Sequence, residues 1–237
     1  MVPFMNQTAF QSAAFSGAGL ACRRGGRLVF TGLNFNVTPG GALVLRGPNG
    51  SGKTTLLRVM AGLTPHAAGT MSWGGTVIDD PDQHAGNLRF VSHLDAVKPA
   101  LTVAENLSFW MTLWSSPDEQ RLKKAMAAFD LARLATYSAR LLSAGQRHRL
   151  ALARLLVAPA PLWLLDEPGN ALDTASRDAL ARAILEHRAA GGMVIVASHE
   201  ATFVAGGETL DLGLFTPKTA AHWSDDEVPQ TVGDAAE

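Results

Sequence analysis

A glycine-rich segment in the first quarter of the chain has the residue types and spacing of a phosphate-binding loop. Its residues fit the pattern G-x-x-x-x-G-K-[ST] and are Gly47-Pro48-Asn49-Gly50-Ser51-Gly52-Lys53-Thr54-Thr55. Glycines let successive backbone N–H groups turn inward around an anion, and a following helix N-terminus adds partial positive charge. Lys53 supplies a mobile ammonium group for the outer phosphates, and the Thr54 hydroxyl is placed to ligate Mg²⁺. The segment therefore predicts a site for nucleotide phosphates and their metal ion.

The sequence on either side of this loop supports that interpretation. The segment before it, Ala42–Arg46, is typical of a short buried strand, and 54–63 carries apolar residues at helical spacing. A strand before and a helix after are the context that the motif requires. The alternative, a glycine-rich turn with a chance Gly-Lys-Thr, is therefore disfavoured.

Two adjacent acids follow a second apolar segment. Four apolar residues precede Asp166, as expected for a buried parallel strand that ends in an acid, and Glu167 comes next. Adjacent carboxylates at a strand end diverge, so Asp166 can serve the Mg²⁺ site while Glu167 activates the attacking water as a general base. The alternative is a solvated turn after a strand.

Three further motifs make the pattern specific to one family. Leu142-Ser143-Ala144-Gly145-Gln146 resembles the signature motif of ABC-type ATPases, Asn170-Ala171-Leu172-Asp173 resembles their D-loop, and His199 resembles their switch histidine. With the phosphate-binding loop and the strand ending at Asp166, these motifs occur in the order that the family shows. The resemblance covers residues 19–215.

The resemblance implies an α/β fold: a P-loop NTPase of ABC type with a mostly parallel core sheet, an antiparallel β subdomain and a helical insert. The expected divisions are an N-terminal extension at 1–16, an ATPase domain at 17–215 with the insert at about 95–158, and an acidic, disordered tail at 216–237.

The resemblance also implies roles for the site residues, with ATP and Mg²⁺ bound together. Lys53 and the backbone of 49–54 would hold phosphates, Thr54 and Asp166 would hold Mg²⁺, and Glu167 would activate water. His199 would contact the γ-phosphate and orient that water. Two copies would pair head-to-tail, with Ser143, Gly145 and Gln146 of each copy closing the nucleotide site of the other.

The chain departs from the family pattern at two places. His93 stands where the family usually has a glutamine that meets Mg²⁺ or water, and histidine differs from it in reach and protonation. The segment Cys22-Arg23-Arg24-Gly25-Gly26 lacks the aromatic residue that usually stacks on adenine. We expect Arg23 or Arg24 to cover the base instead.

These departures, together with the sequences Ser143–Leu155 and Leu101–Trp110, resemble one branch of the family. That branch comprises the ATP-binding subunits of the haem exporter-type transporter of bacterial cytochrome c maturation. The resemblance implies a peripheral position on the cytoplasmic face of the bacterial inner membrane, bound to a membrane-spanning, CcmB-like subunit. The docking surface is expected near His93 and the helix at 101–114, unless the aromatic residues of that helix cover the insert's own core.

Composition excludes several other classes. The formal net charge is −1, without the basic stripe that nucleic-acid binding requires, so no nucleic-acid partner is expected. Cys22 is the single cysteine, which rules out a disulfide framework or a multi-cysteine metal site. No apolar segment approaches the roughly 20 residues of a membrane-spanning helix. Five histidines lack ligand-like spacing, are expected at the surface and indicate no haem site: His66, His84, His148, His187 and His222.

Three alternatives remain at this point. The chain could serve another small ABC transporter, for lipid, drug or peptide. It could be a soluble, non-transport ABC ATPase, although it lacks the paired cassettes, long coiled coils and zinc cysteines of those proteins. It could also be a P-loop kinase, which would leave Ser143–Gln146 and His199 without a role.

Overall fold

Two β-sheets and six α-helices build the part of the chain that the computed structural model describes, residues 13–92, 94–198 and 203–217. One sheet is antiparallel with strand order β2-β1-β4-β5, and the other is wholly parallel with order β6-β7-β8-β3-β9. The expected fold class is confirmed. The strands are β1 (Phe15–Arg24), β2 (Arg27–Val37), β3 (Ala42–Arg46), β4 (Ala68–Trp73), β5 (Thr76–Val77), β6 (Leu88–Val91), β7 (Leu162–Asp166), β8 (Met193–Ala197) and β9 (Glu208–Asp211).

The helices are α1 (Lys53–Met60), α2 (Pro81–Gly86), α3 (Val103–Trp114), α4 (Glu119–Ala128), α5 (Ala144–Val157) and α6 (Thr174–Ala189). Short 3₁₀ turns occur at Ala132–Leu134, Ala139–Leu141 and Leu212–Leu214. Within the described ranges, no helix is both long and apolar enough to cross a membrane. Residues 1–12 and 218–237, which hold most of the expected extension and tail, lie outside the described residues.

The antiparallel sheet follows from a period-two pattern. Leu33, Phe35 and Val37 are buried on one face of β2, and the residues between them are exposed. The sequence predicts a pair of strands from Gly19 to Val37, but β1 begins at Phe15. The Phe15 ring is fully buried, 4.8 Å from that of Trp73, so packing extends the strand towards the N-terminus.

The parallel sheet brings the chemical motifs to one edge. β7 and β8 are buried along their whole length, since helices cover both faces of such a sheet. The phosphate-binding loop follows β3, and Asp166 ends β7, with β8 between them. Because all strands run in the same direction, both motifs lie at the carboxyl edge.

Capping residues set where the helices begin, and neighbouring residues can compete for this role. Ser143 with Gln146 three residues later predicts a capping box, and the structure has it; a further box at Thr102 and Glu105 starts α3. The sequence Ser116-Pro117-Asp118-Glu119 also predicts a capping box, with a helix that runs to about 134. That prediction is wrong: Asp118 caps α4, and its carboxylate accepts from the backbone N–H of Arg121. α4 also ends at Ala128 instead of about 134, because the chain turns at Asp130, where φ is +51°.

The sequence predicts that the apolar residues of 101–114 lie on one side of a helix, but those of α3 divide between two faces. Val103, Leu107 and Met111 are buried in the core at a spacing of four residues. Phe109 and Trp114 are 38% and 36% exposed. The helix therefore fills the core with one face and presents aromatic residues on another.

The expectation of surface histidines is wrong at three positions. His84 is buried, with Nε2 2.7 Å from the Met60 carbonyl oxygen and Nδ1 accepting from the Trp73 indole N–H at 3.1 Å. His148 is also buried and contacts the functional site, as described below. His187 stacks on Trp163 with ring centroids 3.9 Å apart, and desolvation lowers its pKa to about 4. His66 is exposed as expected, and His222 lies outside the described residues.

The buried His187 predicts acid sensitivity. Its pKa is about 4 in the folded protein and about 6.5 when unfolded, so the unfolded chain binds more protons between these values. Stability is therefore complete above pH 6.5 and falls as pH drops towards 4. His187 should account for at most about 2 kcal/mol of the unfolding free energy lost between pH 6.5 and 5.

Urea unfolding across this pH range checks the effect. The variant His187→Gln should be less stable than wild type at pH 7 but should show a shallower pH dependence. If the free energy of unfolding depends on pH equally steeply in the two proteins, His187 is not the cause of the acid sensitivity.

Candidate nucleotide site

At its last turn, the phosphate-binding loop has a backbone conformation that glycine adopts far more easily than other residues. Gly52 has φ +96°, and a Cβ there would lie 2.6 Å from Cγ1 of Val29. Its carbonyl oxygen accepts from the N–H of Leu56 at 2.7 Å, so α1 begins immediately after the loop. Pro48, Asn49 and Gly50 are exposed. The loop is thus anchored against β2 on one side and open on the other.

Lys53 lies beneath the loop. Its side chain is largely buried, and Nζ donates to the carbonyl oxygens of Gly47 at 2.8 Å and Pro48 at 3.1 Å. These bonds hold the ammonium group beside backbone N–H groups at the start of α1. A cation and a helix N-terminus in one place form an anion-binding site.

The metal ligands expected from the sequence are in contact with each other. The Thr54 hydroxyl donates to the Asp166 carboxylate, with Oγ1 2.9 Å from Oδ2 and 3.2 Å from Oδ1. Asp166 is 2% exposed. Oxygen donors of this kind suit Mg²⁺, which takes few protein ligands and completes its shell with water and phosphate oxygens. The described residues contain no cluster of three or more His, Cys, Asp or Glu side chains that could hold a metal without the nucleotide.

Glu167 is fixed by its backbone. Its φ is +49°, an uncommon conformation for a residue other than glycine, and its N–H donates to the Ala197 carbonyl oxygen at 2.8 Å. Its own carbonyl oxygen accepts from the N–H of Asn170 at 3.1 Å. The turn changes the direction of the chain after Asp166, so adjacent residues provide a candidate metal ligand and a candidate base.

The signature segment lies at the start of α5. Ser143 is exposed; its hydroxyl accepts from the Gln146 N–H at 3.2 Å, and the Gln146 side-chain oxygen accepts from the Ser143 N–H at 2.9 Å. A Cβ on Gly145 would lie 3.2 Å from the carbonyl oxygen of Ala171. The signature segment therefore packs closely on the segment that resembles a D-loop.

Two expected catalytic residues, His93 and His199, lie outside the described residues, and their roles stay predictions. The structure adds residues that the sequence reasoning did not use. His148 lies on α5 and contacts Asp95, and Arg154 of the same helix donates to the Asp95 carbonyl oxygen at 2.8 Å. The available signal was the position of Asp95, two residues after His93.

The turn expected to meet the base joins β1 to β2. Cys22 is buried there, and Arg24 is exposed beside the turn at Gly25 and Gly26. Burial raises the pKa of the Cys22 thiol, as expected for an unreactive cysteine. Arg24 is thus available at the surface, where a planar guanidinium can stack on a base.

Comparison with known proteins agrees with the fold and the motifs. The ABC transporter family profile matches residues 30–170. An ABC transporter ATP-binding protein from Pyrococcus furiosus superposes with a TM-score of 0.76 at 22% identity, over 86% of this chain and all of that one. An ATP-binding subunit of another ABC transporter superposes with a TM-score of 0.73 at 24% identity, over 79% and 80% of the two chains. The chain therefore belongs to the ABC transporter ATPases and is an ATP hydrolase of that class.

Curated relatives indicate the branch of the ABC transporter family to which the chain belongs. The cytochrome c biogenesis ATP-binding export protein CcmA of Rhodospirillum rubrum is 52% identical over 206 residues, 86% of this chain and 88% of that protein. The protein of the same name from Paramagnetospirillum magneticum is 52% identical over 208 residues, 86% of this chain and 95% of that protein. Within the ABC ATPases, the chain belongs with the CcmA proteins.

The expected role of Glu167 predicts a separation of binding from hydrolysis. Glu167→Gln removes the base but leaves Lys53 and the phosphate-binding loop intact. The hydrolysis rate should fall about 100-fold or more, while ATP affinity should stay within about threefold of wild type. Phosphate release and equilibrium ATP binding measure the two properties. A variant that hydrolyses ATP at the wild-type rate would contradict the assignment.

A second prediction concerns the base. If Arg24 covers it by stacking, Arg24→Ala should weaken ATP and GTP binding to a similar extent, by about threefold to tenfold. Fluorescent-nucleotide displacement measures both affinities. Unchanged affinity for both nucleotides would exclude Arg24, and loss confined to ATP would indicate adenine-specific hydrogen bonds instead.

Proposed function

We propose that the chain is the ATP-binding and hydrolysing subunit of an export transporter in cytochrome c biogenesis, of the haem-exporter type. The observation that carries the proposal is the 52% identity to CcmA proteins over most of both chains. Lys53 and the loop around it hold the ATP phosphates, Thr54 and Asp166 hold Mg²⁺, and Glu167 activates water. Mg²⁺, when bound, neutralises charge on the phosphates.

We further propose that two copies act as a head-to-tail dimer around two ATP molecules. Ser143 is exposed at the N-terminus of α5, where backbone N–H groups and the helix dipole favour a phosphate. A phosphate bound on one side by Lys53 would then be met on the other by the Ser143–Gln146 segment of the second copy. His93 and His199 complete this site in the proposal.

The proposed location is peripheral, on the cytoplasmic face of the bacterial inner membrane, where a membrane-spanning, CcmB-like subunit binds the chain. A groove of about 370 Å³ lies where α3 and α5 meet the region around β6. Three arginines line it, Arg58, Arg89 and Arg154, and none of the described lining residues is acidic. Trp110 and Trp114 lie under two of the guanidinium groups, each 4.3 Å from a ring centroid.

The chemistry of this groove indicates its occupant. Burial lowers the pKa of Arg89 and of Arg154 to about 10, so both cations are held in partly desolvated positions. Both guanidinium groups already donate to backbone carbonyl oxygens, so they offer a partner their positive charge. A partner segment that carries one apolar side chain and one carboxylate would match the tryptophans and this charge. We propose that a cytoplasmic segment of the membrane-spanning subunit has this character.

Gene deletion tests the function. The gene would be deleted in its host, restored as wild type or as Glu167→Gln, and membranes would be stained for covalently bound haem. Loss of c-type cytochromes, rescued by wild type alone, would support both the pathway and the need for hydrolysis. Normal cytochromes in a deletion strain without a second copy would contradict the pathway, while the ATPase assignment would stand.

A substitution in the groove tests the docking proposal. Leu94 lines the groove and is 70% exposed, so Leu94→Glu should leave the fold and ATP affinity unchanged. A new carboxylate should repel the partner's acid and compete for the arginines, which reduces co-purification of the membrane subunit about tenfold or more. Leu185→Glu, at a 64% exposed leucine on α6 outside the groove, is the matched control. Equal co-purification of both variants would exclude this groove.

A further inference from the structure

One buried histidine joins three segments that are distant in the sequence. His148 lies in the second turn of α5, and its side chain is 9% exposed. Its Nδ1 lies 2.7 Å from Oδ1 of Asp95, and its Nε2 lies 3.0 Å from the carbonyl oxygen of Pro168. Asp95 belongs to the loop that follows His93, and Pro168 directly follows Glu167. A single rigid ring therefore spans from that loop to the backbone beside the candidate base.

The two partners of the ring are both acceptors. A carboxylate and a peptide carbonyl oxygen both accept hydrogen bonds, so the side chain between them has to present a ring nitrogen to each. Glutamine carries its donor hydrogens on one side-chain nitrogen, so it cannot donate to two oxygens that lie on opposite sides of the imidazole position. Glutamine at position 148 would therefore lose at least one of the two contacts.

The bond to Pro168 completes the anchoring of the turn at Glu167. On the N-terminal side, the Glu167 N–H is bonded to the Ala197 carbonyl oxygen of β8. On the C-terminal side, the Pro168 carbonyl oxygen is bonded to His148. Because φ of Glu167 is +49°, the turn is held in a conformation that a side-chain-bearing residue adopts at a cost, and it can relax if one anchor is lost.

At its other end the ring contacts Asp95, whose neighbours in the chain, Leu94 and Ala96, line the groove. Arg154 donates to the carbonyl oxygens of Asp95 at 2.8 Å and Ala96 at 3.3 Å, and its guanidinium covers Trp110 in the groove wall. Displacement of this loop therefore moves the Asp95 carboxylate relative to α5. The same ring would transmit that displacement to Pro168.

We propose that His148 is a positioning residue for ATP hydrolysis, which links the loop after His93 to the backbone of the turn that aims Glu167. The proposal rests on the proposed role of Glu167 as the base. In this proposal, binding in the groove beside Arg154 changes the direction of the Glu167 carboxylate. The effect passes through Asp95 and His148 and does not require His93.

The test separates positioning from binding. In the purified full-length chain, His148→Gln should lower kcat for ATP hydrolysis about tenfold, because a misaimed base loses transition-state stabilisation. KM and ATP affinity should stay within about twofold, since the phosphate-binding loop is not part of the contact. His84→Gln is the matched control: the same substitution at an equally buried histidine should lower the melting temperature but leave kcat unchanged.

A second variant reports on the same contact from the partly exposed side. Asp95→Asn should also lower kcat at unchanged KM, and the double variant should be no worse than His148→Gln alone, since both changes break one link. The proposal would be overturned if the two substitutions lowered kcat independently, so that their fold-changes multiplied in the double variant. An unchanged kcat in His148→Gln would also overturn it. If Glu167→Gln retains full hydrolysis, the role of Glu167 itself fails; if Glu167→Gln is inactive while His148→Gln is normal, only this inference fails.

Discussion

The contact between the Thr54 hydroxyl and the Asp166 carboxylate is the constraint on which the rest of the site depends. Strands in a sheet lie about 4.8 Å apart, so β3 and β7, with β8 between them, are about 10 Å apart. The contact at 2.9 Å requires the first turn of α1 and the end of β7 to meet above β8. It is possible because all strands of this sheet are parallel, which places both carboxyl ends at one edge. We propose that the hydroxyl and the carboxylate together form the protein's share of a Mg²⁺ site, and Glu167 follows as the next residue.

Helix α5 connects this site to the rest of the molecule. Its N-terminus presents Ser143 to solvent, its second turn carries His148 to the backbone beside Glu167, and Arg154 near its end covers Trp110 in the groove. One rigid element thus reaches the surface proposed for the second copy, the turn proposed for catalysis and the surface proposed for the membrane partner. A helix of this kind can couple those surfaces without a large change in fold, because a packed core transmits small displacements instead of absorbing them.

Features set by short-range chemistry could be predicted from the sequence, and features set by distant contacts could not. The phosphate-binding loop, the capping box at Ser143 and the buried strand before Asp166 each depend on a few adjacent residues, and the structure contains all three. The buried positions of His84, His148 and His187 were missed because tertiary contacts set them; Asp95, for example, lies 53 residues before His148. The start of α4 was placed wrongly because Ser116 and Asp118 are both good caps, and the sequence does not rank them. Nothing local predicted which face of α3 enters the core.

We propose that Thr54 and Asp166 jointly bind the metal ion that accompanies ATP. Mn²⁺ can replace Mg²⁺, and electron paramagnetic resonance measures its binding to the ATP-saturated protein. We expect Thr54→Val and Asp166→Asn each to weaken Mn²⁺ affinity about tenfold or more. Metal-free ATP should still bind both variants through Lys53 and the loop backbone. Wild-type Mn²⁺ affinity in both variants, with ATP bound, would contradict this proposal.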